Sequence, residues 1–441
     1  MELHLYLSSI SNLVSVSKLF EKIILAKLDY QYPGIEGKHQ HGFRSNRGTH
    51  TALLELQSSI ASVLDSNRSA TTYSVDMSAA FDLLRPGTFH AEVDLDAGLM
   101  NILMDFMSDQ KISVKLGTVK SHEMPINVGC VQGSILGPKL FNIYCSNIVN
   151  SIKDAKIISY ADDSYVINLA YDVGELIAKT EECFRQHTAH LQRLGMVVNE
   201  GKTELLFSSR SKGQSEISIN TGTSIVKSSK CIKALGVQFC ADLSWDCHVN
   251  YSLNRSRHII PRIRHLRKWL NTDELLKLVT SQYFSIVFYC CQVWIGCLTS
   301  SNWRRINSAH YRALRAVYGD YKCKIKRTKL DKASRRATPS EWANFLTAST
   351  VIKLFNSSDT EIGCFLRESV YINDRQPGRG KFIDKSRLKV GRQALPYRIG
   401  PIFAKIGFDW VGIASTDDTI RRRLKAQFFR YFDEKGLQLP F

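Results

Sequence analysis

An α+β fold built around an antiparallel hairpin is what the sequence predicts, and three observations carry that prediction. The composition is globular: 44% of the 441 residues are hydrophobic and 23% are charged. That balance excludes wholesale disorder, collagen and a disulfide-knotted miniprotein. Short β-branched and aromatic runs interleave with stretches of helical apolar spacing, without the strict strand–helix–strand rhythm of a parallel sheet. Two such runs, at 156–160 and 164–169, flank a tight turn of Ala161, Asp162 and Asp163. A chain of this length has room for roughly two to four domains, each able to bury a core.

The elements follow in order. Residues 53–64 have the spacing of an amphipathic helix. Thr72, Tyr73, Ser74 and Val75 form a β-branched and aromatic run that ends in Asp76 and reads as a strand. Gly137-Pro138 stops the preceding turn, and 139–152 then reads as a helix. After the hairpin, a helix is expected over about 175–194, ended by Gly195, with strands over 204–208 and 232–239. Residues 278–303 carry no charge, which meets the length rule of about 18 uncharged residues for a membrane span. Ser281, Gln282, Ser285 and Gln292 interrupt the stretch and arginines crowd both sides, so it reads as a buried core helix. The 374–401 region, punctuated by Pro377-Gly378, Gly380, Gly391, Pro396 and Gly400-Pro401, reads as an irregular connection to a short last helix. No internal repeat is visible.

Charge and cysteine usage narrow the class. Lys+Arg number 59 against 41 Asp+Glu, a net charge of +18 that points to a polyanionic partner, nucleic acid first. The surplus is concentrated: 251–340 holds 19 Lys+Arg against 4 Asp+Glu. Arg255, Arg257, Arg262, Arg264, Arg267 and Lys268 precede the apolar stretch. Arg304, Arg305, Arg312 and Arg315 follow at helical spacing, and then come Lys322, Lys324, Lys326, Arg327 and Lys329. A solvated helix face usually mixes signs; this run has few acids, which favours contact with a phosphate backbone. The 11 cysteines show no framework spacing, and the N-terminus lacks the marks of a signal peptide. The thiols are therefore read as mostly reduced and the protein as intracellular, in nucleus or cytoplasm. KCKIKRTK at 322–329 is basic enough for an import signal.

The candidate chemistry lies in two places. Asp76 ends a strand, and Asp162 and Asp163 sit at the hairpin tip. Adjacent carboxylates flanked by apolar strand residues repel one another, and a divalent cation relieves that cost. Hard oxygen donors suit Mg²⁺, and with Asp76 alongside the set could hold two ions about 3.5–4 Å apart. On spacing alone, an Asp-Asp pair in a turn is more often a plain polar turn. The second place is GCVQGSILGP at 129–138, where three glycines and a Gly-Pro stop describe either backbone lying close to a ligand or a flexible loop before a helix. It is neither a G-x-G-x-x-G fingerprint nor a P-loop. His39, His41 and His50 fit no metal-ligand spacing. Cys240, Cys247 and His248 lack an accompanying CxxC, so no zinc is expected.

Taken in order, these segments resemble the reverse transcriptases of non-LTR (LINE-type) retrotransposons, especially jockey-like elements. SISNLVSVSKLFEKII and HGFRSNRGTHTALLELQ resemble the finger motifs, VDMSAAFDLL motif A, VGCVQGSILGPKLFNIY motif B and SYADDSYV motif C. NEGKTELLF is similar to motif D and KALGVQFCADLSW to motif E. The likeness covers most of the chain, with its most specific part in 1–245. It implies a right-hand polymerase with an antiparallel palm sheet and a helical basic thumb. The implied division is partial fingers at 1–72, palm at 73–245, thumb at 246–356 and a C-terminal extension at 357–441.

The implied site follows residue by residue. Asp76, Asp162 and Asp163 match the carboxylates that hold two Mg²⁺ ions, with Mn²⁺ as a substitute. Phe81 matches the steric gate against ribonucleotides; without the resemblance it reads as core. Gln132 and Gly133 match positions lying against nucleotide and template. Lys202 matches the lysine proposed to protonate pyrophosphate, or reads as a surface lysine in a turn. Arg44 is a plausible triphosphate contact, and Leu235-Gly236 falls at the primer grip. Asp82 is given a structural hydrogen bond rather than a metal role.

The resemblance implies RNA-directed DNA polymerisation, extending a DNA primer with dNTPs on an RNA template, with no membrane involved. A binding-only remnant with a basic thumb is the competing reading. An RNA-templated RNA polymerase is disfavoured by the bulk of Phe81. The chain starts almost inside the first finger motif and shows no endonuclease or RNase H-like segment. The 85–100 stretch departs from what is usual between motifs A and B, which raises a decayed copy as the source of the remnant reading.

Overall fold

In the computed structural model the described residues are 13–78, 80–131, 133–210, 216–355, 370–372 and 380–382. The chain divides into two compact units: 1–48 with 69–207 and 212–229, and 49–68 with 208–211 and 230–441. The helix Thr49–Asp65 belongs with the second unit, which resumes at Lys230.

The first unit is built on a six-stranded sheet. Its strands are β1 (Ser69–Val75), β2 (Lys156–Tyr160), β3 (Asp163–Ala170), β4 (Glu204–Ser208), β5 (Ser218–Asn220) and β6 (Ile225–Ser229), in the order β5-β6-β4-β1-β3-β2. β2 and β3 form a hairpin, and β3 pairs antiparallel with β1 from Ser69↔Ala170 to Val75↔Ser164. β6 lies parallel to β4 and antiparallel to β5. The fold class is therefore α+β with a largely antiparallel sheet. β1 and β3 are central, and Tyr73, Val75, Tyr165, Val166 and Ile167 are all buried. Both faces of these strands are covered, so polar Thr71, Thr72, Ser164 and Asn168 are buried along with the apolar residues.

The helix Val173–Arg193 packs on β1, β3 and β5. Asp172 caps it by accepting from the Glu175 N–H at 2.9 Å. Its buried Leu176, Thr180, Cys183, Phe184, His187 and Leu191 recur at three- and four-residue intervals. Phe184 meets Tyr73 edge to face at 5.4 Å. Burial of a side chain such as Phe184 contributes roughly 1.5–3 kcal/mol. The expected helix at 139–152 is two pieces, Gly137–Tyr144 and Ile148–Ser151. The 85–100 stretch is ordinary structure: helices Pro86–Glu92 and Ala97–Met107, the second capped by Asp96.

The second unit is mostly helical. It opens with the hairpin β7 (Cys231–Ala234) and β8 (Val237–Cys240), where one strand was expected over 232–239. Leu235 and Gly236 both have positive φ, 42° and 85°, as a two-residue turn with left-handed centres requires. Cys231 and Cys240 face each other across the ladder and are disulfide-bonded, so the thiols are not uniformly reduced. The apolar stretch 278–303 is buried as expected but is not one helix. A π-helical turn at Val279–Phe284 and a left-handed Cys290, φ 46°, break it. Trp294, Tyr283 and Cys291 within it are buried core. Among the described residues no single helix is long and apolar enough to cross a membrane; one pair, Thr272–Val287 with Cys291–Cys297, would be so only across a 52° bend. Helix Ser300–Tyr318 follows, capped by Thr299 and ended by Gly319, and carries Arg304, Arg305, Arg312 and Arg315. The expected last helix and most of 374–401 lie outside the described residues.

Candidate active site

Three carboxylates meet at one end of β1 and β3. Val75 pairs with Ser164 as the last pair of the ladder, and Asp76 and Asp163 are the next residues along the two strands. Tyr160 pairs with Asp163 across the hairpin, which leaves Ala161 and Asp162 as the two turn residues. Burial pushes the Asp163 carboxyl up to about 6, helped by the charges of Asp162 and Asp76. Asp162 is raised by burial and by Asp76, against a lowering by its own backbone N–H. The three groups therefore lie within electrostatic reach of one another.

Among the described residues a cation faces Asp76. Lys202 Nζ donates to Asp76 Oδ2 at 2.9 Å. Local backbone pairing brings it there: Met77 and Ser78 pair with Val198 and Val197, and the Asn199 N–H donates to the Asp76 carbonyl at 3.0 Å. Lys202 closes the short turn that follows, its N–H donating to the Asn199 carbonyl. The lysine is 65% exposed, so this bond can exchange with solvent.

The donor chemistry fits Mg²⁺. Half-buried carboxylate oxygens, with Lys202 as a cationic contact among the described residues, could hold a hard cation. Among the described residues the triple of potential ligand atoms mutually within 4.8 Å is that of Cys231, Cys240 and Cys247, not the aspartates. In the cysteine triple, two members are bonded to each other.

The remaining expected residues are distributed as follows. Phe81 is half-buried, stacked on Phe141 at 4.4 Å and edge-on to Phe43 at 6.0 Å. Gly133 is exposed with φ +100°, a backbone position that only glycine adopts readily. Gln132 lies outside the described residues. The loop before Gly133 is stitched to the turn after Asp76: the Cys130 N–H donates to the Phe81 carbonyl at 2.9 Å and the Gly129 N–H to Leu84 at 2.7 Å. A Cβ at Gly129 would come within 3.0 Å of the Asp82 backbone.

The Arg44 side chain is 8% exposed; its guanidinium donates to the Gly37 carbonyl at 2.5 Å and lies 4.0 Å from Glu36. Leu235 and Gly236 belong to the second unit, where the Tyr289 hydroxyl donates to the Leu235 carbonyl at 3.1 Å. A Cβ on Gly236 would meet the Tyr289 ring at 3.2 Å.

Three buried residues of the first unit were not legible in advance. Glu21 is fully buried and its Oε2 accepts from Ser134 Oγ at 2.6 Å, Ile135 N–H at 2.7 Å and Leu136 N–H at 3.0 Å. It thereby anchors the loop at the start of helix Gly137–Tyr144, where negative charge is favoured. The signal was a glutamate on the same helical face as Ile24 and Leu28. Lys139 is buried between Asp29, at 2.6 Å, and Glu36. Gln40 bonds the hairpin turn itself.

A second candidate site lies within the helical unit. An open cleft of ≈ 470 Å³ is lined by Arg257, Arg304, Arg305 and Arg312 with Asn254 and Tyr283, and no acidic residue lines it. Such a cleft attracts phosphate oxygens. Arg315 is not part of it: it pairs with Asp320 at 3.3 Å, and Asp320 also accepts the N–H groups of Lys324 and Ile325.

A family model described as reverse transcriptase (RNA-dependent DNA polymerase) matches residues 8–239. The probable RNA-directed DNA polymerase from transposon BS of Drosophila melanogaster is 26% identical over 326 residues, covering 70% of this chain and 36% of its own. The RNA-directed DNA polymerase from mobile element jockey of Drosophila funebris is 24% identical over 343 residues, covering 73% and 37%. The chain thus spans little more than a third of the length of the curated relatives it matches. Among solved structures, a Candida tropicalis telomerase in complex with a fragment of telomeric RNA is 10% identical, covering 94% of this chain and 57% of that one, with a TM-score of 0.40.

Proposed function

The chain belongs to the reverse transcriptase (RNA-dependent DNA polymerase) family, and on that premise we propose that it extends the 3′-hydroxyl of a DNA primer with dNTPs on an RNA template, as part of retrotransposon replication. The observation that supports the reading is the strand register, Val75 opposite Ser164, which brings the residue after β1 and the turn before β3 to the same end of these two central strands. These three residues would hold the Mg²⁺ ions. When bound, the metal would activate the primer hydroxyl and steady the leaving pyrophosphate.

The chain's own residues do the rest. Lys202, within hydrogen-bond reach of Asp76, is a proton donor on the flexible end of a solvent-facing side chain, suited to a departing phosphate. Phe81, backed by Phe141, presents a rigid aromatic face that crowds a 2′-hydroxyl. Gly133 lets the backbone approach base or sugar closely. The hairpin tip at Leu235-Gly236 would brace the primer end, and Arg257, Arg304, Arg305 and Arg312 would hold template–primer phosphates. Arg44 is given no nucleotide contact, because its guanidinium is committed to the 37–40 carbonyls.

The competing reading, a binding-only remnant, is not favoured: no carboxylate of the set is replaced. The test is primer extension on an RNA template with dNTPs and Mg²⁺. Wild type should extend the primer, and Asp162→Ala should give no product while binding RNA normally. Extension by Asp162→Ala would overturn the metal assignment, and binding without extension by the wild type would establish the remnant.

A further inference from the structure

The turn that carries Asp162 is built against a residue's preference. Ala161 has φ +54°, where the Cβ of an L-residue crowds the backbone. A two-residue hairpin turn asks for positive φ at its first central residue, a demand that glycine meets freely and alanine only at a cost.

Gln40 offsets that cost. Its Oε1 accepts from the Ala161 N–H at 2.9 Å, and its Nε2 donates to the Ala161 carbonyl at 3.3 Å. One planar amide thus binds both backbone groups of the left-handed residue. The same Oε1 accepts from the Gly42 N–H at 2.8 Å, and Gln40 is 1% exposed, so water is a poor substitute. The backbone on either side is equally engaged. Ser159 donates to the His39 carbonyl and His41 donates to the Ser159 carbonyl, both at 2.8 Å. A Cβ at Gly42 would stand 2.5 Å from the Ala161 nitrogen, and Asn142 Nδ2 holds the Gly42 carbonyl at 2.8 Å. Residues 39–42 form a clasp laid directly over the turn.

We infer that Gln40 is a positioning residue for the carboxylate set: by fixing Ala161 in the left-handed region it fixes the directions in which Asp162 and Asp163 leave the turn. The inference rests on the reading of those aspartates as the metal-holding groups. The role needs an amide. Glutamate would offer only acceptors, would face the Ala161 carbonyl with like charge, and would add a further anion beside the aspartates. Leucine keeps the volume and offers neither donor nor acceptor.

The experiment compares wild type, Gln40→Leu, Gln40→Glu, Ala161→Gly and the double variant Gln40→Leu/Ala161→Gly. Mn²⁺ binding is followed by electron paramagnetic resonance without nucleic acid, alongside melting temperature and steady-state primer extension. Gln40→Leu and Gln40→Glu should weaken Mn²⁺ binding and lower kcat, each by about 10–100-fold. KM for dNTP should stay within about threefold, since no contact with the nucleotide is removed. Glycine holds a positive φ without crowding, so the double variant should regain most of the lost Mn²⁺ affinity.

Wild-type Mn²⁺ affinity and kcat in Gln40→Leu would overturn the inference. So would a loss that parallels the fall in melting temperature and that Ala161→Gly does not recover, since that marks a merely structural contact. If Gln40→Leu does not fold, the near-isosteric Gln40→Glu carries the same test. A wild type that neither binds Mn²⁺ nor extends primer would instead sink the underlying reading of the aspartates.

Discussion

Asp163→Asn should stabilise the metal-free protein while destroying its dependence on the cation. Burial and the neighbouring Asp162 and Asp76 charges push the Asp163 carboxyl from an ordinary 3.8 to about 6. A raised acid binds its proton more tightly folded than unfolded, so ionising it at higher pH works against the fold. The penalty is absent below about pH 4, grows between about pH 4 and 6, and is complete above that. At about 1.4 kcal/mol per unit, a shift of about two units has a ceiling of about 3 kcal/mol. Partial exposure screens this to about 1–2 kcal/mol. Asparagine keeps the shape and removes the charge, so at about pH 7.5 the apo variant should be the more stable by that amount. For a folding unit of this size that is about 2–8 °C in melting temperature. Thermal unfolding with chelator, from about pH 4 to pH 7.5, measures the gap, which should close at the acid end. Added Mg²⁺ should raise the melting temperature of the wild type alone. A variant less stable than wild type near neutrality, or a gap independent of pH, would refute the electrostatic account.

Other perturbations address other parts of the site. Glu21→Ala strands the Ser134 hydroxyl and two backbone N–H groups and should cost about 2–4 kcal/mol, with faster proteolysis within 129–137; unchanged protease resistance would count against the anchor. Phe81→Val should weaken discrimination against ribonucleotides about 10–100-fold in single-nucleotide incorporation, and unaltered sugar selectivity would remove Phe81 from the gate. Replacing Arg304, Arg305 and Arg312 together by Gln should flatten the dependence of log K on log salt for RNA–DNA hybrid by about 2, and an unchanged slope would clear the cleft of backbone contact.

What could be read from the sequence followed from how local each feature is. Asp76, Asp162 and Asp163 were legible because each ends or caps a strand, and antiparallel pairing of neighbouring strands then brings the ends together. The helix at 173–193 was legible to within two residues because its apolar period is long and a capping aspartate and Gly195 bracket it. The break at Cys290 was not, since nothing in a run of apolar residues marks where a helix turns left-handed. The loop bonds of Arg44 were equally hidden: only the fold reveals the Gly37 and Gln40 carbonyls to which it donates. Gln40 and Glu21 act on residues 121 and over 100 positions away in the chain, so no window of sequence contains both partners. The Cys231–Cys240 bond needed the hairpin register, which a single-strand reading of 232–239 had erased.

Local cleavage by bound iron bears most directly on the shared cation site. Fe²⁺ substituted for Mg²⁺, with ascorbate and peroxide, generates hydroxyl radicals that cut the chain beside the ion. Cuts should cluster at 75–77, 161–164 and 199–202, compete away with Mg²⁺, and vanish in Asp163→Asn. Cleavage beside only one of these segments, or a pattern indifferent to Asp163, would mean that the three aspartates do not hold metal together.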